Sequence, residues 1–176
     1  MMKKFLFTCL FVLTTVAAIA QTDNTIEFLG IPVDGNKNEM ISKLQVKGYE
    51  YDASSHALLG EFNGDNVAIF VQTVNNRVWR IMIVDAEMYD NEASIKFRYN
   101  RLFEQLSNNG KYEVVNGSTL DEKEDILSYQ MLAPHFTFKD KSIHGCVWYT
   151  IIKLNGKYGI MMFYENIDNA AREEDL

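Results

Sequence analysis

Two spacings of apolar residues alternate along this chain, and their order predicts its elements. Met40, Ile41 and Leu44 recur at helical spacing on one face, Asn36 and Glu39 stand three apart as in a capping box, and Gly48 supplies a stop, which predicts a helix over 37–47. Ile95, Tyr99, Leu102, Phe103 and Leu106 make a longer stripe, opened by Asp90 or Asn91 and closed at Gly110. Elsewhere the period falls to two. Val67 to Thr73 and Val78 to Val84 are apolar runs separated by Val74-Asn75-Asn76-Arg77; Val147 to Lys153 and Tyr158 to Tyr164 are separated by Leu154-Asn155-Gly156-Lys157. Asn-Gly favours a type I′ turn, whose two central positions need positive φ, and Asn-Asn is a weaker version, so each pair reads as a hairpin. Before each hairpin lies a further strand: Ala57 to Phe62, ending in the turn Asn63-Gly64-Asp65-Asn66, and Tyr129 to Phe138, ending in Lys139-Asp140-Lys141-Ser142. Pro134 interrupts the latter and marks a bulge or an edge. A short strand, Thr25 to Leu29, precedes Gly30 and Pro32.

The elements repeat in order. Helix, Gly48, Tyr49-Glu50-Tyr51, strand, turn and hairpin are followed by helix, Gly110, Tyr112-Glu113-Val114, strand, turn and hairpin, which divides the chain into halves 25–85 and 90–165, the second carrying an insertion at Ser118 to Asp125. Coincidence is the competing explanation, because a helix followed by a meander is common in α+β domains. The expected fold is one α+β domain over 21–176: an antiparallel sheet of about seven or eight strands from two helix-plus-meander units, with two helices packed on one face. The tandem arrangement resembles the β-lactamase-inhibitor-protein-like architecture, and Phe28-Leu29-Gly30-Ile31-Pro32 before a helix resembles small exported envelope proteins. What the resemblance implies is a sheet with helices on one face and the other free for a partner.

With two-residue turns in both hairpins, alternation sorts their residues into two faces. Phe70, Ile81, Ala68, Ile83 and Trp79 fall together with Ile152, Thr150, Met161, Trp148 and Phe163; Val71, Arg80, Ile69, Met82 and Val78 fall with Lys153, Tyr158, Ile151, Tyr149, Met162 and Tyr164. Because Arg80 and Lys153 cost several kcal/mol each if buried unpaired, the tryptophan-bearing face is expected beneath the helices and the tyrosine-bearing face in solvent. The expected partner-binding residues are Arg80, Met82, Tyr149, Tyr158, Met162 and Tyr164, since Tyr and Met suit protein contacts. Cross-strand tyrosine ladders that stabilise a solvated sheet are the alternative.

Residues 1–20 change the cellular context. Lys3 and Lys4, an apolar run from Phe5 to Val16, and Ala18-Ile19-Ala20 before Gln21 have the form of an export signal cut near Ala20, too short to persist as a membrane span. Gln21 stands where a lipid anchor needs cysteine, so the expectation is a soluble periplasmic or secreted product. The full chain carries a net charge of −7, and losing the two leader lysines makes the remainder more acidic, which argues against nucleic acid and anionic lipid as partners. Only Cys146 remains after cleavage, so no internal disulfide forms. Roughly 155 residues bury close to 70% of their unfolded surface and need no such staple.

Candidate chemistry is sparse. His144 and Cys146 stand two apart on one strand, which suits a metal pair or a thiol and its base, but two ligands make no zinc site and their period places them toward the interior. His135 adjoins Pro134, and Ser55-His56 has no third member for a triad. Asp121-Glu122-Lys123-Glu124-Asp125 lacks the Gly turn of a calcium loop and reads as a solvated loop; the tail from Asn166, ending Arg172-Glu173-Glu174-Asp175-Leu176, reads as frayed. No catalytic residue, metal or cofactor is expected. The expected role is non-enzymatic: a soluble binding or inhibitory protein that grips a protein or glycan partner through an open sheet face. A homo-oligomer subunit packed through that face is one alternative; a hydrolase using Glu61, Asp65 or Glu165 is another, and it needs two convergent carboxylates in a deep pocket.

Overall fold

Asn36 and Asn91 start the two long helices by the same device. In the computed structural model, which describes residues 24–126 and 133–170, each side chain accepts a backbone N–H three residues on: Glu39 N at 2.9 Å for α1 (Lys37–Val46) and Ser94 N at 2.8 Å for α2 (Glu92–Ser107). The expected export signal, the tail from 171 and the expected strand start at Tyr129 lie outside the described residues. A two-stranded ribbon, β1 (Glu27–Phe28) and β2 (Ile31–Pro32), precedes α1. After α1 come β3 (Glu50–Asp52), β4 (Ala57–Phe62), β5 (Asp65–Val74) and β6 (Arg77–Asp85); after α2 come β7 (Tyr112–Asn116), β8 (His135–Phe138), β9 (Gly145–Leu154) and β10 (Lys157–Asn166), then a single turn, α3 (Ile167–Ala170).

The eight main strands form one antiparallel sheet in the order β3-β4-β5-β6-β10-β9-β8-β7. Each half is a helix followed by a four-stranded meander, and the halves meet where the last strand of one pairs with the last strand of the other. Asn75 and Asn76 (φ 49° and 62°) and Asn155 and Gly156 (φ 53° and 80°) make the expected positive-φ turns; Asn63 and Gly64 (φ 54° and 82°) make a third, so β5 begins at Asp65.

The hairpin β5–β6 departs from regular pairing in a way that reverses the expected faces. Thr73 pairs with Val78, but Gln72 pairs with Arg80, leaving Trp79 as the extra residue of a β-bulge. One inserted residue moves everything beyond it to the opposite face. Phe70 therefore pairs with Met82 and Val71 with Ile81. The helices cover Ile69, Val71, Ile81, Ile83, Tyr149, Ile151, Tyr158, Ile160, Met162 and Tyr164, all buried in one cluster with Met40, Leu44, Ile95, Tyr99 and Leu102. The tyrosine-bearing face is the interior, and the tryptophan-bearing face is open. Lys153 does not prevent this, because it sits at the hairpin tip, exposed, with its ammonium on Tyr158 Oη at 3.0 Å.

Charge is nevertheless buried on the helical side. Arg98 of α2 is 2% exposed; its Nη2 donates to Asp85 Oδ1 at 2.8 Å, and its Nη1 lies 2.6 Å from Asp65 Oδ2 as a charge contact. Arg101 also pairs with Asp65, Tyr89 Oη donates to Asp65 Oδ1 at 2.6 Å, and the Ile160 amide donates to Asp85 Oδ2 at 2.8 Å. Two guanidiniums and two carboxylates balance in charge.

Two surface segments are more ordered than expected. The acidic stretch after β7 exposes its carboxylates, but Lys96 Nζ donates to the Glu122 carbonyl at 2.7 Å, Asn100 exchanges hydrogen bonds with Leu120 (2.7 and 2.9 Å), and Leu120 and Ile126 are buried. Asn166 and Asn169, expected in a frayed tail, are buried: Asn166 Nδ2 donates to Val33 O at 2.9 Å, and Asn169 Nδ2 to Val78 O at 2.8 Å and Asp34 Oδ1 at 3.0 Å. Asp34 is also the partner of Arg77, whose guanidinium holds that carboxyl at about 2.

The face assignment makes a direct prediction at adjacent positions of β9. In dilute protein, Thr150→Lys on the open face should cost less than about 1 kcal/mol, whereas Ile151→Lys buries an unpaired charge and should cost at least about 3 kcal/mol. Urea unfolding of both variants measures the difference; equal losses, or the reverse order, contradict the assignment.

Candidate functional site

Register across the open face produces three continuous rows perpendicular to the strands. From the ladder partners, the first is Leu59, Ala68, Val84, Met161, Thr150; the second is Phe70, Met82, Phe163, Trp148, His135; the third is Gln72, Arg80, Glu165, Cys146, Thr137. The middle row is a ridge of large side chains, the first is shallower, and the third is polar. Neither long helix covers them, since both pack on the opposite side.

The ridge is ordered by ring stacking. Trp148 and Phe163 lie 4.1 Å apart at 21°, and His135 and Trp148 lie 5.6 Å apart at 13°, so the rings stack on one another along the row; Phe163, 5% exposed, is buried within it. Arg80 joins the ridge to the polar row: its guanidinium carbon lies 3.9 Å from the Trp79 ring centroid and 5.1 Å from that of Phe163. Its Nη2 lies 2.6 Å from Glu165 Oε1, a charge contact without good hydrogen-bond direction. Arg80 and Glu165 are the only Lys, Arg, Asp or Glu side chains in the three rows, and they neutralise each other.

Cys146 approaches Glu165 Oε2 at 3.6 Å, and burial together with that carboxylate pushes its thiol up to about 12. The cysteine lies on the open face, contrary to expectation, yet at neutral pH it is a protonated thiol, a poor nucleophile and metal ligand. His144 does not join it; its Nδ1 lies 3.0 Å from Asp168 Oδ1.

Of the six expected partner-binding residues, only Arg80 and Met82 lie on the open face. Tyr149, Tyr158, Met162 and Tyr164 are 0%, 7%, 2% and 7% exposed, and that expectation is corrected. Tyr149 Oη donates to Tyr99 O at 3.0 Å with the rings edge to face, Tyr158 Oη donates to Glu92 Oε1 at 3.0 Å, and Tyr164 packs on Phe28. α2 supplies acceptors for Tyr149 and Tyr158 and the β7 residue Tyr112 partners Tyr164, which lets tyrosine serve as core, and burial raises the pKa of Tyr149 and Tyr164. The residues missed on the open face, Phe70, Trp148, Met161 and Glu165, with the buried Phe163 among them, had one signal in the sequence. Shifting the first hairpin by one residue puts Arg80 on the face that carries Glu165, which allows a complementary pair in place of a stranded cation.

The three candidate carboxylates occupy separate places. Glu165 faces Arg80 on the open face. Asp65 is held by Arg98, Arg101 and Tyr89; it shares a 230 Å³ cleft with Glu87, whose Oε1 accepts from Asn66 at 2.8 Å. Glu61 borders a third site with Leu29, Lys47, Gly48 and Tyr49. Among the described residues, no three His, Cys, Asp or Glu side chains converge as a metal site requires. No described helix is long and apolar enough to cross a membrane.

Comparison with known proteins found no matching family model, no similar curated protein and no similar solved structure. The functional reading therefore rests on the chain's own residues.

The environment of Cys146 predicts its reactivity. At pH 8 a thiol titrating near 12 should react with an aromatic disulfide reagent about a hundredfold more slowly than an ordinary cysteine titrating near 8.5, and Glu165→Gln should speed it. A native rate equal to that of free cysteine contradicts the arrangement.

Proposed function

We propose that this chain is a non-enzymatic binding protein that docks a protein partner through its open sheet face, and that residues 1–20 direct it out of the cytoplasm. The observation that carries this reading is the ridge Phe70-Met82-Phe163-Trp148-His135 beside the apolar row Leu59-Ala68-Val84-Met161-Thr150, a contiguous apolar surface on the side away from both long helices. Contiguous apolar surface of this kind is a mark of macromolecular contact.

Protein is favoured over glycan by ring orientation. Sugars stack on exposed aromatic faces, whereas the faces of Trp148 and Phe163 are turned on each other and one face of Trp79 is covered by Arg80. The partly exposed Phe70 and Trp148, methionine and aliphatic side chains remain, and these suit the side chains of another protein. Enzymatic chemistry has weaker support: the thiol is held protonated, and Glu165 and Asp65 are engaged by guanidinium groups.

Met82→Glu and Trp148→Ala, each checked for an unchanged far-ultraviolet spectrum, should lose at least about tenfold in affinity for any protein that co-purifies with the native chain from envelope extract. Capture that survives both substitutions, or that is competed by oligosaccharide, overturns the reading.

A further inference from the structure

We propose that the protein partner of the open face is a second copy of this chain, packed face to face about a two-fold axis lying parallel to the rows. The inference rests on the reading of that face as a protein-docking surface and names its occupant from shape and charge.

On three of the four central strands a partly exposed large ridge residue stands two positions from a smaller one of the shallow row: Phe70 and Ala68 on β5, Met82 and Val84 on β6, Trp148 and Thr150 on β9; on β10 the buried Phe163 fills the ridge between Met82 and Trp148. A two-fold axis placed between these two rows and along them reverses the strand direction but preserves the order of strands. It therefore lays the ridge of each copy over the shallow row of the other, so that Phe70 of one copy meets Ala68 of the other, Trp148 meets Thr150, and each contact occurs twice. Such self-complementarity is what a two-fold interface demands, and the antiparallel alignment of the two sheets matches the aligned class of sheet packing.

Charge permits the same contact. The protein is acidic, net −7, so most of its surface repels a second copy, whereas the ridge and shallow row contain no Lys, Arg, Asp or Glu, and the adjoining Arg80 is matched by Glu165 within its own chain. A basic or acidic partner finds no complementary field there. The area reaches the lower bound of a specific contact: three rows at roughly 6.6 Å and five strands at about 4.8 Å spacing give on the order of 500 Å² per copy, about 1,000 Å² in total.

Sedimentation of the purified protein over a wide concentration range tests the proposal, with Thr150→Lys, which fills the shallow row, and Met82→Glu, which charges the ridge. The native chain should sediment as two copies at high concentration, and each variant should weaken association at least about thirtyfold while keeping the native unfolding midpoint in dilute solution. A native chain that stays monomeric overturns the proposal, as does a dimer that both substitutions leave intact. If that monomer still captures an envelope protein in a Met82-dependent manner, the docking reading survives and only the identity of the partner is wrong; if it captures nothing, both fail.

Discussion

The buried guanidinium of Arg98 fixes which side of the sheet is inside. It belongs to a helix of the second half, yet its carboxylate partners come from the first, Asp65 at the start of β5 and Asp85 at the end of β6, and Asp85 also accepts the Ile160 amide of β10. A cation 2% exposed is tolerable only with such partners in place, and removing one partner of a buried pair typically costs about 3–5 kcal/mol. α2 is thereby held across the junction of β6 and β10, over Tyr149 and Ile160. The hydroxyl of Tyr149 on the Tyr99 carbonyl completes the seating. With that side closed, Trp148, Phe163 and Met82 can only be on the other.

A single inserted residue does the rest. The bulge at Trp79 moves Arg80 out of the helical layer and sets it beside Glu165, so the sheet gains an ion pair on its open face and avoids a stranded charge inside. The same shift brings Met82 between Phe70 and Phe163 and makes the ridge continuous across the junction of the halves. Without it the ridge would break between β5 and β10. Fold and surface thus depend on one local departure from regular pairing.

Local signals carried most of the architecture. Both helix starts, the Asn-rich turns, the four long hairpin strands and the order of the two halves follow from caps, φ preferences and periodicity, which act within a few residues. The inside–outside choice did not follow, because it hangs on two non-local facts. One is the bulge, which leaves no mark in composition; the other is that Arg98 and Lys96, polar in any periodicity count, are covered by partners distant in sequence. Arg80 and Lys153 therefore misled: one changes face through the bulge, and the other reaches solvent at a hairpin tip. The tail misled similarly, since Asn166 and Asn169 read as polar filler until Val33, Asp34 and Val78 supply their acceptors.

The two tryptophans of the chain, Trp79 and Trp148, are native probes of the disputed face. Acrylamide quenching of their emission in dilute native protein reports which face of the sheet is open. Indoles on an open sheet face should be quenched at a substantial fraction of the rate found after unfolding. Blue-shifted emission that resists the quencher until the protein unfolds would place the tryptophans beneath the helices and contradict the account.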